Sequence, residues 1–83
     1  MGYWVYILHS ESADKYYVGM SSDPVRRTEF HNSTEKGFTS RYRPWRLVYR
    51  RELATKKEAM AVERLIKARK RKQFIADLVA GKR

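Results

Sequence analysis

The residues of this chain best suited to chemistry are Tyr6, Tyr17, Arg26, Arg27, His31 and Glu63. A phenol can take a proton from water, a guanidinium can hold two phosphate oxygens, and a carboxylate can hold a divalent cation. Tyrosine, arginine and one carboxylate are the residue types needed to cleave a phosphodiester with a single metal ion. The tyrosines lie in two aromatic–aliphatic tripeptides, Trp4-Val5-Tyr6 and Tyr17-Val18-Gly19, ahead of the arginine pair; Glu63 follows much later. If the fold brings these groups together they form a hydrolytic site. If it does not, the tyrosines are the aromatic core of a sheet.

Each residue has an ordinary role beside a chemical one. A strand tyrosine such as Tyr6 usually packs in a core with its hydroxyl hydrogen-bonded. To act as a base near neutral pH, a phenol of reference pKa about 10 needs a cation or metal close by. Tyr17 can position a water, hold Tyr6, or simply pack. Gly19 can end a strand, or its missing Cβ can let a phosphate backbone come close. Arg27 is either a solvated helix charge or a ligand that stabilises the negative charge of a pentacovalent transition state. Arg26 points elsewhere on the helix and suits a general phosphate contact. His31, one helical turn beyond Arg27, is a capping or surface histidine, a phosphate-orienting group, or an acid or base. Glu63 is surrounded in the helical pattern by Ala59, Val62 and Ile66, where a charge is costly unless paired or bound to a cation. Lys67, four residues on, is its nearest available partner.

The elements that must position these groups are readable in outline. Tyr3 to Leu8 is rich in β-branched and aromatic residues and predicts a strand, with Tyr3, Val5 and Ile7 on one face and Trp4, Tyr6 and Leu8 on the other. Both faces are apolar, so the strand is central. His9 to Asp14 is polar and turn-like, and Lys15 to Met20 returns as the second arm of an antiparallel hairpin. Ser22 or Asp23, followed by Pro24, starts a helix that runs to about His31 or Asn32. Asn32 to Pro44 reads as a long loop in which Lys36, Arg41 and Arg43 alternate with Phe38 and Tyr42, suited to phosphate contact and base stacking. Trp45 to Glu52 supplies a third strand. Thr55 and Glu58 have capping-box spacing, and Ala59, Val62, Leu65, Ile66 and Ala68 form a helical stripe. The basic run from Lys67 to Lys72, including Lys70, is a solvated face or a track for a nucleic-acid backbone, and a bend or a new helix falls within it. Phe74, Ile75, Leu78 and Val79 form a last apolar stripe, with Gly81 as its stop. The order β-β-α-β-α-α predicts an α/β domain of the α+β type, a three-stranded, mainly antiparallel sheet flanked by helices.

Bulk properties narrow the partner. The 83 residues have room for one domain, residues 1–83, and one modest core. Nineteen Lys and Arg against nine Asp and Glu give a net charge of +10, which favours a polyanion. There is no cysteine, so disulfides and cysteine-based zinc sites are excluded. The only unbroken apolar run near the N-terminus, Trp4 to Leu8, is too short for a signal-peptide core or a membrane span. A cytoplasmic monomer with no membrane association is the expectation.

The combined pattern resembles the GIY-YIG nuclease superfamily. Trp4-Val5-Tyr6 and Tyr17-Val18-Gly19 are similar to its two signature tripeptides, and the gap between the tyrosines matches. Arg27 follows Gly19 at the spacing of the family's helix arginine, and His31 follows where several branches have histidine or tyrosine. Thr55, Ala59, Glu63, Ile66 and Lys67 resemble the helix that bears the family's metal-binding glutamate. Tyr16 to Gly19, Asp23 to Arg27 and His31-Asn32 look most like the structure-specific endonuclease branch and the small stand-alone bacterial proteins. Trp4 stands where the first signature has glycine. The resemblance implies a phosphodiester hydrolase acting on DNA, with Tyr6 as general base, Arg27 stabilising charge and Glu63 as the sole protein ligand of Mg²⁺ or Mn²⁺. It implies an active-site place for Tyr17, with His31 and Tyr17 positioning the site. Gly19, Arg26, Lys36, Arg41, Arg43, Lys67 and Lys70 are the expected nucleic-acid contacts. Family nucleases often take their targeting from added domains or a protein partner. The same fold can therefore serve as a binding module that does not turn over, and a small protein-interaction domain is the remaining alternative.

Overall fold

A computed structural model of the chain describes residues 2–33, 42–69 and 72–81. The elements are β1 (Tyr3–Ser10), β2 (Lys15–Ser21), α1 (Pro24–Ser33), β3 (Trp45–Leu53), α2 (Lys56–Arg69) and α3 (Lys72–Val79). The sheet order is β2-β1-β3 with both pairings antiparallel, so the most apolar strand is the central one. This is the α+β arrangement expected from the order of elements.

Strand β1 runs two residues further than its apolar segment. His9 and Ser10 stay in the ladder opposite Tyr16 and Lys15 on one side and Arg46 and Trp45 on the other. The polar side chains are accommodated locally: His9 stacks on Tyr16 at 4.7 Å between centroids, and the buried Ser10 hydroxyl accepts from the Ala13 amide at 3.4 Å. The turn closes through Asp14, which takes the left-handed conformation at φ 51°.

Alternation along β1 divides the interior in two. Val5 and Ile7 join Val18, Ala59 and Ile66 in the larger core, against which the apolar stripe of α3 packs. Tyr6 and Leu8 face the other way and join Trp45 in a smaller aromatic core, with Tyr17, Tyr42 and Leu47 packed around it. A bulge interrupts the β1–β3 register between Ile7 and Leu8. It leaves Val48 and Tyr49, neighbours in sequence, both against the larger core.

Capping chemistry fixes the helices. Asp23 Oδ1 accepts from the Arg26 amide at 3.1 Å and caps α1, while Pro24 takes the first helical position. Thr55 Oγ1 accepts from the Glu58 amide at 3.2 Å, and Glu58 Oε2 accepts from the Ala54 amide at 3.2 Å, a capping box reaching one residue further back than usual. The basic run holds the junction of two helices: α2 ends at Arg69 and α3 starts at Lys72. Lys72 Nζ and His9 Nε2 both donate to Asp14, tying α3 to the hairpin turn.

Two contacts seat α1 on the sheet. The Asn32 side-chain amide donates to the Trp45 carbonyl at 2.8 Å and accepts from the Trp45 amide at 2.5 Å. Arg43 Nε donates to the His31 carbonyl at 2.8 Å. The end of α1 is thereby fixed against the start of β3, with His31 inside.

Candidate active site

The register of the hairpin sets the centre of the site. Tyr6 and Gly19 are directly opposed across β1 and β2. A Cβ on Gly19 would lie 2.7 Å from the Tyr6 hydroxyl and 2.9 Å from its Cζ. Gly19 is not in the left-handed region. Its missing side chain therefore serves close approach rather than backbone freedom, and what it admits in this structure is the phenol of Tyr6.

The Tyr6 ring is buried at 1% exposure, and its oxygen lies 3.1 Å from His31 Nε2. His31 is buried to the same degree on the inner face of α1. Tyr17 completes the group, its ring centroid 6.4 Å from that of Tyr6 and 4.8 Å from that of His31. Trp45 backs Tyr17 edge-on at 6.3 Å. The tyrosines are thus part of an aromatic core, the ordinary role the sequence allowed them, and one hydroxyl within it is aimed at an imidazole.

Arg27 enters from the preceding turn of α1, its guanidinium over the Phe30 ring at 4.7 Å and near enough to the Tyr6 hydroxyl to lower its pKa. Burial above all, then the neighbouring Tyr17 and the Glu63 carboxylate, push the Tyr6 hydroxyl up and Arg27 pulls it down, and the balance stands at about 12. The net direction is upward, so Tyr6 is a neutral phenol in the free protein at neutral pH. The same balance places Glu63, on α2, within electrostatic reach of Tyr6. Its side chain is 21% exposed and pairs with Lys67 Nζ at 3.5 Å, so the ion pair offered by the i,i+4 spacing is formed.

Two hollows flank the cluster. One, of about 380 Å³, is lined by Ser21, Ser22, Asp23, Arg26 and Arg27. The other, of about 280 Å³, is lined by Tyr16, Tyr17, Val18, Ile66, Lys67 and Ile75. Arg26 and Arg27 thus border one side of the β2 strand, and Lys67 the other. Arg43 is half-buried and engaged with the His31 carbonyl. Lys36, Arg41 and Lys70 lie outside the described residues. Sequence reasoning missed the Asn32 clamp. Its only signal was an asparagine at the end of a helix, a position common to ordinary caps.

The fold and cluster define a small α+β domain with a tyrosine–histidine–arginine group over a glycine and a glutamate close by. Residues 2–75 match the GIY-YIG catalytic domain, and the chain belongs to that family. It is 38% identical over 71 residues to UPF0213 proteins of two Streptococcus pneumoniae strains, covering 84% of this chain and 71% of each relative. It is also similar to the solution NMR structure of a UPF0213 protein from Bacillus halodurans, at 32% identity and a TM-score of 0.53, covering 92% of this chain and 84% of the other. Among the described residues, no helix is long and apolar enough to cross a membrane.

Proposed function

We propose that this protein is a metal-dependent endonuclease that hydrolyses DNA phosphodiesters. The observation that carries the reading is the Tyr6 hydroxyl. It is buried, lies 3.1 Å from His31 Nε2, has its pKa lowered by the Arg27 guanidinium, and occupies the space that a Cβ on Gly19 would need. Core packing needs a ring at this position; it does not need a hydroxyl aimed at an imidazole beside a guanidinium.

Because Tyr6 is held neutral, it serves as a base only if its own proton has somewhere to go. His31 Nε2 is that acceptor. Water on the phosphorus gives its proton to the Tyr6 oxygen as the Tyr6 proton passes to the imidazole, so no free phenolate forms. Arg27 holds the nonbridging oxygens and offsets the charge gained at phosphorus. Tyr17 keeps the Tyr6 and His31 rings in place, and Lys67 and Arg26 contact flanking phosphates.

The donor set fits a hard divalent ion. Among the described residues no three of His, Cys, Asp or Glu gather as a metal cage. Glu63 is a half-buried carboxylate whose ion-pair partner among the described residues is the Lys67 ammonium. One carboxylate with retained waters and a substrate phosphate is a normal arrangement for Mg²⁺, and Mn²⁺ accepts the same donors. Glu63 would hold the ion, which when bound supplies Lewis-acid stabilisation of the departing 3′ oxygen.

The test is cleavage of a panel of duplex, nicked and branched DNA with and without Mg²⁺ or Mn²⁺, using Glu63→Ala as control. Cleavage by the parent that is lost in the variant is expected, and cleavage that survives the substitution sinks the role of Glu63. The Lys67–Glu63 pair favours a second reading, a DNA-binding module that does not turn over. That reading is selected by salt-sensitive DNA binding with no metal-dependent cleavage in the parent.

A further inference from the structure

Trp4 is half-buried, yet it is not among the side chains that build either core. It lies on the same face of β1 as Tyr6, two residues and about 7 Å along the strand. Across β2 it opposes Ser21, whose small side chain leaves the β2 side of the indole thinly covered. On the β3 side its neighbours are Glu52, directly opposed, and Arg50, opposed to Tyr6. The Arg50 guanidinium lies over the indole at 5.4 Å from the ring centroid. The bulge in β3 makes this possible: without the extra residue, the alternation that puts Leu47 beside Leu8 would turn Arg50 to the opposite face.

We propose that Trp4 and Arg50 form a stacking platform for an unpaired base of the DNA, beside the Tyr6 site. The substrate is then DNA with a single-stranded portion next to the scissile phosphate. This rests on the nuclease reading and names its substrate class. A flat indole outside the core, backed by a cation, recognises a nucleobase face through stacking and a neighbouring phosphate through charge. The surrounding surface is complementary to that occupant, since Arg26 and Arg50 are exposed and the chain carries a net charge of +10. A duplex end or interior keeps its bases stacked on each other and offers the platform no free face.

The experiment uses the Glu63→Ala chain with Mg²⁺, so that binding is measured without turnover. It is titrated with a blunt duplex and with the same duplex carrying a single-stranded flap. Trp45 is 3% exposed, so quenching of tryptophan emission on binding reports on Trp4. Flap DNA is expected to quench the emission and to bind more tightly than blunt duplex. Trp4→Ala should weaken flap binding by about tenfold and leave blunt-duplex binding unchanged. Trp4→Phe should restore most of the loss, and Arg50→Ala should reduce the flap preference. If Trp4→Ala does not fold, quenching in the Glu63→Ala chain and the Arg50→Ala result decide the matter. Absence of quenching, or equal affinity for flap and blunt DNA, overturns the platform. Failure of the nuclease reading would show separately, as absence of metal-dependent cleavage by the unmutated chain.

Discussion

Gly19→Ala offers a sharp test of how the site is built. The added Cβ would stand 2.7 Å from the Tyr6 oxygen, 2.9 Å from Tyr6 Cζ and 3.1 Å from Tyr17 Cε2. Comfortable contacts of carbon are about 3.5–4.0 Å, so the phenol must withdraw by roughly 0.5–1 Å. It has little room to do so, because the ring is 1% exposed and its oxygen is held 3.1 Å from His31. Overpacking of this kind costs about 1–3 kcal/mol. At about 4–8 °C per kcal/mol for a domain of this size, the melting temperature should fall by roughly 5–20 °C. The same substitution in a Tyr6→Phe background should cost less, since the oxygen is gone, but not nothing, since the ring carbon remains. A double-mutant cycle followed by thermal denaturation measures that coupling. Equal costs with and without the hydroxyl would refute the argument that Gly19 exists to admit the phenol.

Three further outcomes follow from the same geometry. Asn32→Ala removes both hydrogen bonds to the Trp45 backbone and should cost about 1–3 kcal/mol in denaturant unfolding, with Asn32→Asp intermediate because it keeps the acceptor. Tyr6 is raised to about 12 from an ordinary 10.0, so the native state keeps a proton that the unfolded chain releases. The stability this contributes is complete below the ordinary value and is lost as pH rises to the native one; Tyr6→Phe should flatten that part of the alkaline unfolding curve. Arg27→Ala removes a cation that pulls Tyr6 down, so ultraviolet titration should show the slowest-ionising tyrosine moving further up.

Much of this arrangement was legible in the chain because period-2 alternation is strict in β1. Tyr3, Val5 and Ile7 were separable from Tyr6 and Leu8, and the hairpin itself was readable, but its register was not: Tyr6 opposes Gly19 only because His9 and Ser10 stay in the ladder. The capping signals at Asp23-Pro24 and at Thr55 and Glu58 marked the helix starts for the same reason, since they depend on local hydrogen bonds. What failed to show was non-local or irregular. The β3 bulge breaks alternation at Val48-Tyr49, and no residue type there announces it. His9 and Ser10 read as turn residues because their polarity is visible and their partners, Tyr16 and Ala13, are settled only by folding. The Tyr6–His31 hydrogen bond joins residues 25 positions apart, and the upward push on Tyr6 comes from burial. Spacing alone revealed neither.

Strand β1 has a consequence for how this protein can change. Its odd-numbered residues hold the larger core together and its even-numbered ones carry the tyrosine site, so one segment serves both with no linker between them. A slip of one residue would exchange the two faces and destroy both at once. The site therefore has no private route to melting: amide exchange around Tyr6 should occur only when the whole sheet opens. Variation around the site must enter from the margins, through side chains such as Trp4 at the start of β1 and Arg50 on β3, while Val5 to Leu8 stay fixed.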